Sequence, residues 1–183
     1  MPSISPDPKA TVIVLEHGSP ISFNAKQWVV SNAHNSLLPI KGERNGVEYT
    51  EKVRWMEIFG DWQHYPILHE WEKKGSSAQW EFHTPEAGQY ILEIEYSCDL
   101  DSDLREGLIG VDGDMRTFVP VYTGDTWDQP GTDIVRPMPR YMTRRIGLIN
   151  ISEKGNHTLK IQLDDEDDGG WIRLSKIRLI PAN

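Results

Sequence analysis

A chain of 183 residues is long enough for one domain with a real hydrophobic core. Its 38% hydrophobic and 26% charged residues exclude a disordered chain, and no run approaches the roughly 20 apolar residues of a membrane-spanning helix, so no membrane partner is expected. The formal net charge of −9 repels phosphate backbones and argues against nucleic acid as a partner, while Cys98, the single cysteine, excludes an internal disulfide or a cysteine zinc cluster.

In chain order, residues 1–9 lack the basic start and apolar stretch of a secretory leader and read as a Pro/Ser linker, which leaves 10–183 as a single domain. Strands are predicted at 11–15, 53–59, 67–71 and 78–83 from period-two alternation of apolar and polar residues. The clearest alternation runs over 89–96, where Tyr90, Leu92, Ile94 and Tyr96 point one way and Ile91, Glu93 and Glu95 the other. Strands at 108–111 and 116–122 flank Asp112-Gly113-Asp114, a tight-turn sequence in which glycine takes positive φ without strain. A strand at 145–151 precedes one at 158–164, with Leu159, Ile161 and Leu163 on the inner face. The last strand, 171–180, changes phase: Ile172 and Leu174 share a face, but Ile177 and Leu179 have the opposite parity. Ser175-Lys176 therefore reads as a β-bulge. Many short strands, with no strong amphipathic helical pattern, no internal repeat and no second domain, predict an all-β sandwich or barrel.

Several segments carry a family resemblance: Ile67-Leu68-His69-Glu70-Trp71, Ala78-Gln79-Trp80-Glu81-Phe82, and Ala87-Gly88-Gln89 running into Tyr90–Tyr96. Arg145-Ile146-Gly147, Lys154-Gly155-Asn156-His157-Thr158-Leu159 and Gly169-Gly170-Trp171 with the strand that follows continue it. Their order resembles the galactose-binding-like β-sandwich domains attached to bacterial sulfatases and α-L-fucosidases, relatives of family 6 and family 35 carbohydrate-binding modules. The resemblance covers about the last 115 residues well and the first 65 loosely. It implies an antiparallel β-sandwich of jelly-roll type, a carbohydrate partner, an attached catalytic domain and an extracellular or periplasmic location.

In family 6 modules the sugar sits between loop aromatics at one end of the sandwich. Carried over by position, Trp62 and Tyr65 supply one wall, Tyr122 and Trp127 the other, and Trp171 lies beneath; the polar residue that many such modules place in that last turn is missing here. Aromatic rings offer a sugar a large stacking face at low entropy cost. Trp62 and Trp127, set among Asp, Gly and Gln, are either ligand platforms or loop anchors, whereas Trp71 and Trp80 read as core. Arg136, Arg140, Arg144 and Arg145 cluster in an otherwise acidic chain; Arg140 and Arg144 are candidates to grip an anionic glycan through the planar guanidinium, and salt bridges to the many acids are the competing use. No cofactor is otherwise expected. The resemblance implies a structural calcium, with Glu16 in one ligand position and no Asp supplied by the last strand.

Residues 99–106 alternate carboxylates as a calcium loop does, but Leu104 stands where an EF-hand needs glycine, so a solvated loop is the simpler reading. The acidic run 164–168 reads as a charged connection that discourages edge pairing. The six histidines form no zinc spacing, and neither a nucleophile elbow nor a phosphate loop occurs. The expected function is a non-catalytic carbohydrate-binding module. The alternatives are a structural accessory domain of a sulfatase or fucosidase and a small β-sandwich glycosidase or lyase using Glu93 and Glu95.

Overall fold

The structure, a computed structural model, describes residues 27–56, 61–127, 137–166 and 170–182; the side chains of 52–56, 61–65, 125–127 and 137–138 lie outside the description. The predicted strand 11–15, the linker 1–9 and Glu16 therefore fall outside the described residues, as does the end of the strand expected at 53–59. The strands are β1 (Gln27–Trp28), β2 (Asn35–Leu37), β3 (Glu43–Asn45), β4 (Glu48–Met56), β5 (Asp61–His69), β6 (Ser77–Thr84) and β7 (Gly88–Cys98). Then follow β8 (Gly107–Val111), β9 (Asp114–Phe118), β10 (Asp125–Trp127), β11 (Pro137–Pro139), β12 (Met142–Ile151), β13 (Gly155–Leu163) and β14 (Ile172–Pro181). Helix is confined, among the described residues, to short 3-10 turns at Pro39–Lys41 and Leu100–Ser102.

The strands form an antiparallel β-sandwich. The front sheet has the order β1-β6-β13-β8-β9, with β3 also on β6; the back sheet has β12-β7-β14-β5-β4, with β2 on β14; β10 and β11 make a separate ribbon. The β1–β6 pair is parallel and the other described pairs are antiparallel.

Alternation decides which side chains meet. Ala78, Trp80 and Phe82 of β6 and Leu159, Ile161 and Leu163 of β13 face Tyr90, Leu92, Ile94 and Tyr96 of β7 across the core, each at most 1% exposed. Burying each aliphatic chain of this size is worth roughly 1.5–3 kcal/mol. The register of β14 on β7 slips between Leu174 and Lys176, leaving Ser175 as the extra residue, so both Leu174 and Ile177 reach the core. Asp112 (φ 51) and Gly113 (φ 87) close the β8–β9 hairpin with both central residues at positive φ.

Three tryptophans sit in this core with their indole N–H groups bonded: Trp71 to Ile172 O at 2.8 Å, Trp80 to Leu38 O at 2.8 Å and Trp171 to Arg105 O at 3.0 Å. Gly107 makes room for the last, since a Cβ there would lie 2.1 Å from the Trp171 ring. Two predicted strands end early. β5 stops at His69 because Glu70 turns the chain at φ 50 and drives Trp71 inward. β9 stops at Phe118 because Pro120 offers no N–H, and the next donors serve β7 instead: Val121 bonds Tyr96 Oη and Thr123 bonds Cys98 O.

Candidate functional site

At the end of the sandwich where β7 finishes, residues 119–124 are clamped to the strand. Thr123 donates both its N–H (3.1 Å) and its hydroxyl (3.2 Å) to Cys98 O, and its hydroxyl accepts the Cys98 N–H at 3.0 Å. Tyr122 is thereby fixed in an exposed position. The Arg140 N–H bonds Gly124 O at 3.1 Å, which brings the exposed Arg140 beside the same loop. Trp127 ends β10 opposite Pro137 of β11, so its backbone leads off this end; its side chain is outside the description.

The other predicted ligands lie elsewhere. Trp62 and Tyr65 pair with Trp55 and Lys52 in the β4–β5 hairpin. They precede Leu68, which pairs with Leu174 near the start of antiparallel β14, so β5 carries them away from the end that bears Tyr122. The strand register thus separates these two groups rather than setting them as facing walls. Trp171 is corrected outright: it is 4% exposed, edge-on to Trp71 and Phe118, and braces the core instead of underlying a ligand. Arg144 points to the sandwich edge, donating to Val119 O at 2.5 Å and covering the Phe118 ring at 5.4 Å. That engagement ties Arg144 to the loop that carries Tyr122.

Below this rim, burial pushes the Cys98 thiol up to about 12, with Asp103 and Asp99 adding to the shift. Asp99, the first carboxylate of the alternating acidic segment, bonds Arg173 at 2.7 Å and raises that guanidinium further. No three His, Cys, Asp or Glu side chains converge on a metal-binding geometry among the described residues.

The outer face of the front sheet holds an aromatic that the sequence reading passed over. Trp28 pairs with His83, stands on the solvent side of the sheet edge and is 54% exposed. Its ring meets the His83 ring edge-on at 4.6 Å, and His83 Nδ1 lies 3.0 Å from Asn156 Oδ1. Trp28, His83 and Asn156 therefore form a row across β1, β6 and β13. Along the same face follow Glu81, Thr158, Gln79 and Lys160, then an open hollow of about 430 Å³ lined by Leu108, Asp112, Gly113, Met115, Thr158, Lys160 and Gln162. Glu81 and Lys160 have no ion-pair partner among the described residues. A two-residue strand has no alternation to read, which is why Trp28 escaped notice; the available signal was a tryptophan followed by Val29, which is fully buried.

The outer face of the back sheet is organised differently. Arg178 bonds Glu93 at 2.8 Å and Glu95 at 3.2 Å; Glu93 also faces Arg145 at 3.7 Å, and Glu95 takes Ser175 Oγ at 2.9 Å and Lys176 at 3.4 Å. Both carboxylates of the glycosidase alternative are thus committed to cations and to a hydroxyl of their own sheet, not presented across a gap to a substrate.

No family model matches the chain, and no curated protein matches it. Solved structures do. A family 35 carbohydrate-binding module from Clostridium thermocellum aligns with a TM-score of 0.59 at 15% identity, over 82% of this chain and 99% of that one. A family 6 module of Cellvibrio mixtus lichenase 5A, solved with cellotriose, gives 0.52 at 12% identity over 81% and 97%. A Podospora anserina mannanase that joins a catalytic domain to a family 35 module gives 0.57 at 11% identity, over 82% of this chain and 28% of that one. Insecticidal toxins of Bacillus thuringiensis match too, Cry4Aa at 0.59 and 12% identity over 88% of this chain and 25% of the toxin. The chain thus spans only about a quarter of the enzyme and the toxin. At these identities what is shared is the β-sandwich fold of carbohydrate-binding modules.

Proposed function

We propose that this chain is a non-catalytic carbohydrate-binding module. The observation that carries the reading is Trp28: a ring 54% exposed, braced edge-on by His83, with the polar side chains of Asn156, Glu81, Thr158, Gln79 and Lys160 following along the same sheet face. A sugar stacks its C–H face on such a ring while its hydroxyls find Asn156, Thr158, Gln79 and the charges of Glu81 and Lys160. Holding the ring against His83 reduces the freedom lost on binding. Tyr122, Trp127 and Arg140 at the β7 end are a second contact region, in which Arg140 favours an anionic glycan. Trp62 and Tyr65 are kept as separate contacts on the β4–β5 hairpin.

The modules that share the fold support this role, and the mannanase fusion supports a life tethered to a glycan-degrading enzyme. The sequence resemblance favours a sulfatase or α-L-fucosidase as that enzyme, working outside the cytoplasm, in the periplasm or extracellular space. A single open site of this kind binds weakly, on the order of 10 µM to 1 mM.

Affinity electrophoresis against neutral and sulfated or uronate-bearing polysaccharides tests the reading. Retardation lost in Trp28→Ala, with an unchanged melting temperature, supports it. If no polysaccharide retards the wild-type chain, the carbohydrate reading falls.

A further inference from the structure

On the front face two half-buried apolar side chains interrupt the polar row. β8 runs in register with β13, so Leu108 lies beside Gln162 and Gly110 beside Lys160. β9 crosses close over this part of β8: a Cβ on Gly110 would come within 2.8 Å of Met115 Cα. Glycine is the residue that lets one strand backbone approach another so closely. Leu108 and Met115 then form the apolar lining of the hollow, and Thr158, Lys160 and Gln162 of β13 line it with polar groups.

The polar groups of the hollow are not equally free. Asp112 is engaged: its Oδ1 accepts the Thr158 N–H at 2.8 Å and its Oδ2 lies 2.6 Å from His157 Nδ1. The side chains of Lys160 and Gln162 have no hydrogen bond or ion pair among the described residues. Free N–H donors therefore stand next to two apolar side chains. A group that suits both must present a methyl to one and a carbonyl oxygen to the other.

We propose that this hollow receives an acetyl substituent of a glycan lying along the front face, its methyl against Met115 and Leu108 and its carbonyl oxygen accepting from Lys160. The inference rests on the carbohydrate reading of this face and names the substrate class: an acetylated oligosaccharide. Other occupants fit less well. A bare sugar would set hydroxyls against Leu108 and Met115 and find no ring to stack on, since none lines the hollow. A carboxylate or sulfate would pair with Lys160 but would press charge onto the same apolar side chains, close to the Asp112 carboxylate. A wholly apolar ligand would cover the Lys160 ammonium and leave it without a partner. A thioether, by contrast, adapts readily to a methyl group. The spacing also sets the ligand's length. From Asn156, beside the Trp28–His83 pair, to Lys160 along β13 is about 13 Å at the rise of an extended strand. A sugar stacked on Trp28 thus reaches the hollow only as one unit of an oligosaccharide that follows the strands.

The test uses the chain labelled at its leucine and methionine methyl groups. It is titrated with cellohexaose, with chitohexaose, which carries an N-acetyl group on each unit of the same β-1,4 backbone, and with an O-acetylated glucomannan oligosaccharide before and after mild alkali removes its ester acetyls. At least one acetylated probe is expected to bind about tenfold tighter than its unacetylated counterpart. Its acetyl methyl should give intermolecular NOEs to the Met115 and Leu108 methyls. Preference for chitohexaose marks the amide as the source, and preference for the glucomannan marks the ester. Met115→Gln, which keeps the volume, should remove the preference and leave the unacetylated probes bound as before; Lys160→Ala, on a different strand, should lower it too. Trp28→Ala should weaken every probe alike. The inference is overturned if acetylated and unacetylated probes bind equally, or if the preference survives Met115→Gln without NOEs to Leu108. Binding of cellohexaose at Trp28 with no gain from acetyl groups would sink this inference and leave the carbohydrate reading standing. If no probe binds, the inference also falls, and affinity electrophoresis decides the carbohydrate reading separately.

Discussion

The two outer faces of the sandwich are built from the same kinds of residue and use them in opposite ways. On the back face Glu93, Glu95, Arg178, Arg145, Lys176 and Ser175 satisfy one another, and Glu93 is only 8% exposed. On the front face Glu81 and Lys160 stand without ion-pair partners among the described residues, and Trp28 keeps more than half its surface in water. A polar face whose charges close on themselves adds to the fold's own cohesion. One whose charges and ring stay open has binding capacity left over. The difference directs the search for a ligand to the front and away from the paired acids of the back.

The strongest test of the front face concerns the ground it stands on. β9 passes so close over β8 that a Cβ on Gly110 would lie 1.9 Å from the Asp114 carbonyl oxygen, which is backbone and cannot swing aside. Gly110→Ala should therefore cost about 3 kcal/mol in urea unfolding and distort the hollow beside Met115. If it costs under 1 kcal/mol, the hairpin is loose and the front face is not a fixed surface.

The next effect separates the two faces directly. Glu93→Ala strips Arg178 of one of its two carboxylates and Arg145 of its partner, and should cost about 2 kcal/mol. Glu81→Ala on the front face should stay within about 0.5 kcal/mol. Equal costs, measured by chemical denaturation, would erase the contrast. Trp28→Ala is expected to reverse the ranking: no change in unfolding, and about a tenfold loss of glycan affinity, or about 1.4 kcal/mol.

How much of this was legible beforehand follows from what each feature needs. The long strands were legible because Tyr90, Leu92, Ile94 and Tyr96 must alternate to enter one core, and even the slip at Ser175 was forced by the parity of Ile177 and Leu179. Trp171 was misplaced because its neighbours, Gly169 and Gly170, look like a loop. Its burial depends on Gly107, which lies far off in sequence yet vacates the space for the indole. Trp28 was invisible for the reverse reason: a strand as short as β1 is defined by pairing with β6, a long-range fact that no local pattern carries.

The core strand between the faces supplies a control that neither face should influence. An unfolded Cys98 thiol ionises near 9.0, but in the fold burial pushes it up to about 12. Its preference for the neutral form is fully felt below about pH 9 and drains away as pH climbs toward 12, by about 1 kcal/mol at pH 10. Cys98→Ala should flatten that part of the stability profile. In the native state the thiol should resist a disulfide reagent at pH 8 and react only on unfolding. Rapid native reaction would mean that the β7 end opens far more readily than its clamped backbone implies.

The smallest effect probes whether the back face is as self-contained as its ion pairs indicate. Ser97 lies on that face of β7, is 1% exposed, and its hydroxyl has no hydrogen-bond partner among the described residues. A buried hydroxyl that bonds to nothing has lost its water without compensation, so deleting that oxygen should be neutral or stabilise the domain by about 0.5 kcal/mol. A loss of more than 1 kcal/mol in Ser97→Ala would mean that the hydroxyl contacts something beyond the strand pairs, and the back face would then have to be weighed alongside the front as a place where this domain holds a ligand.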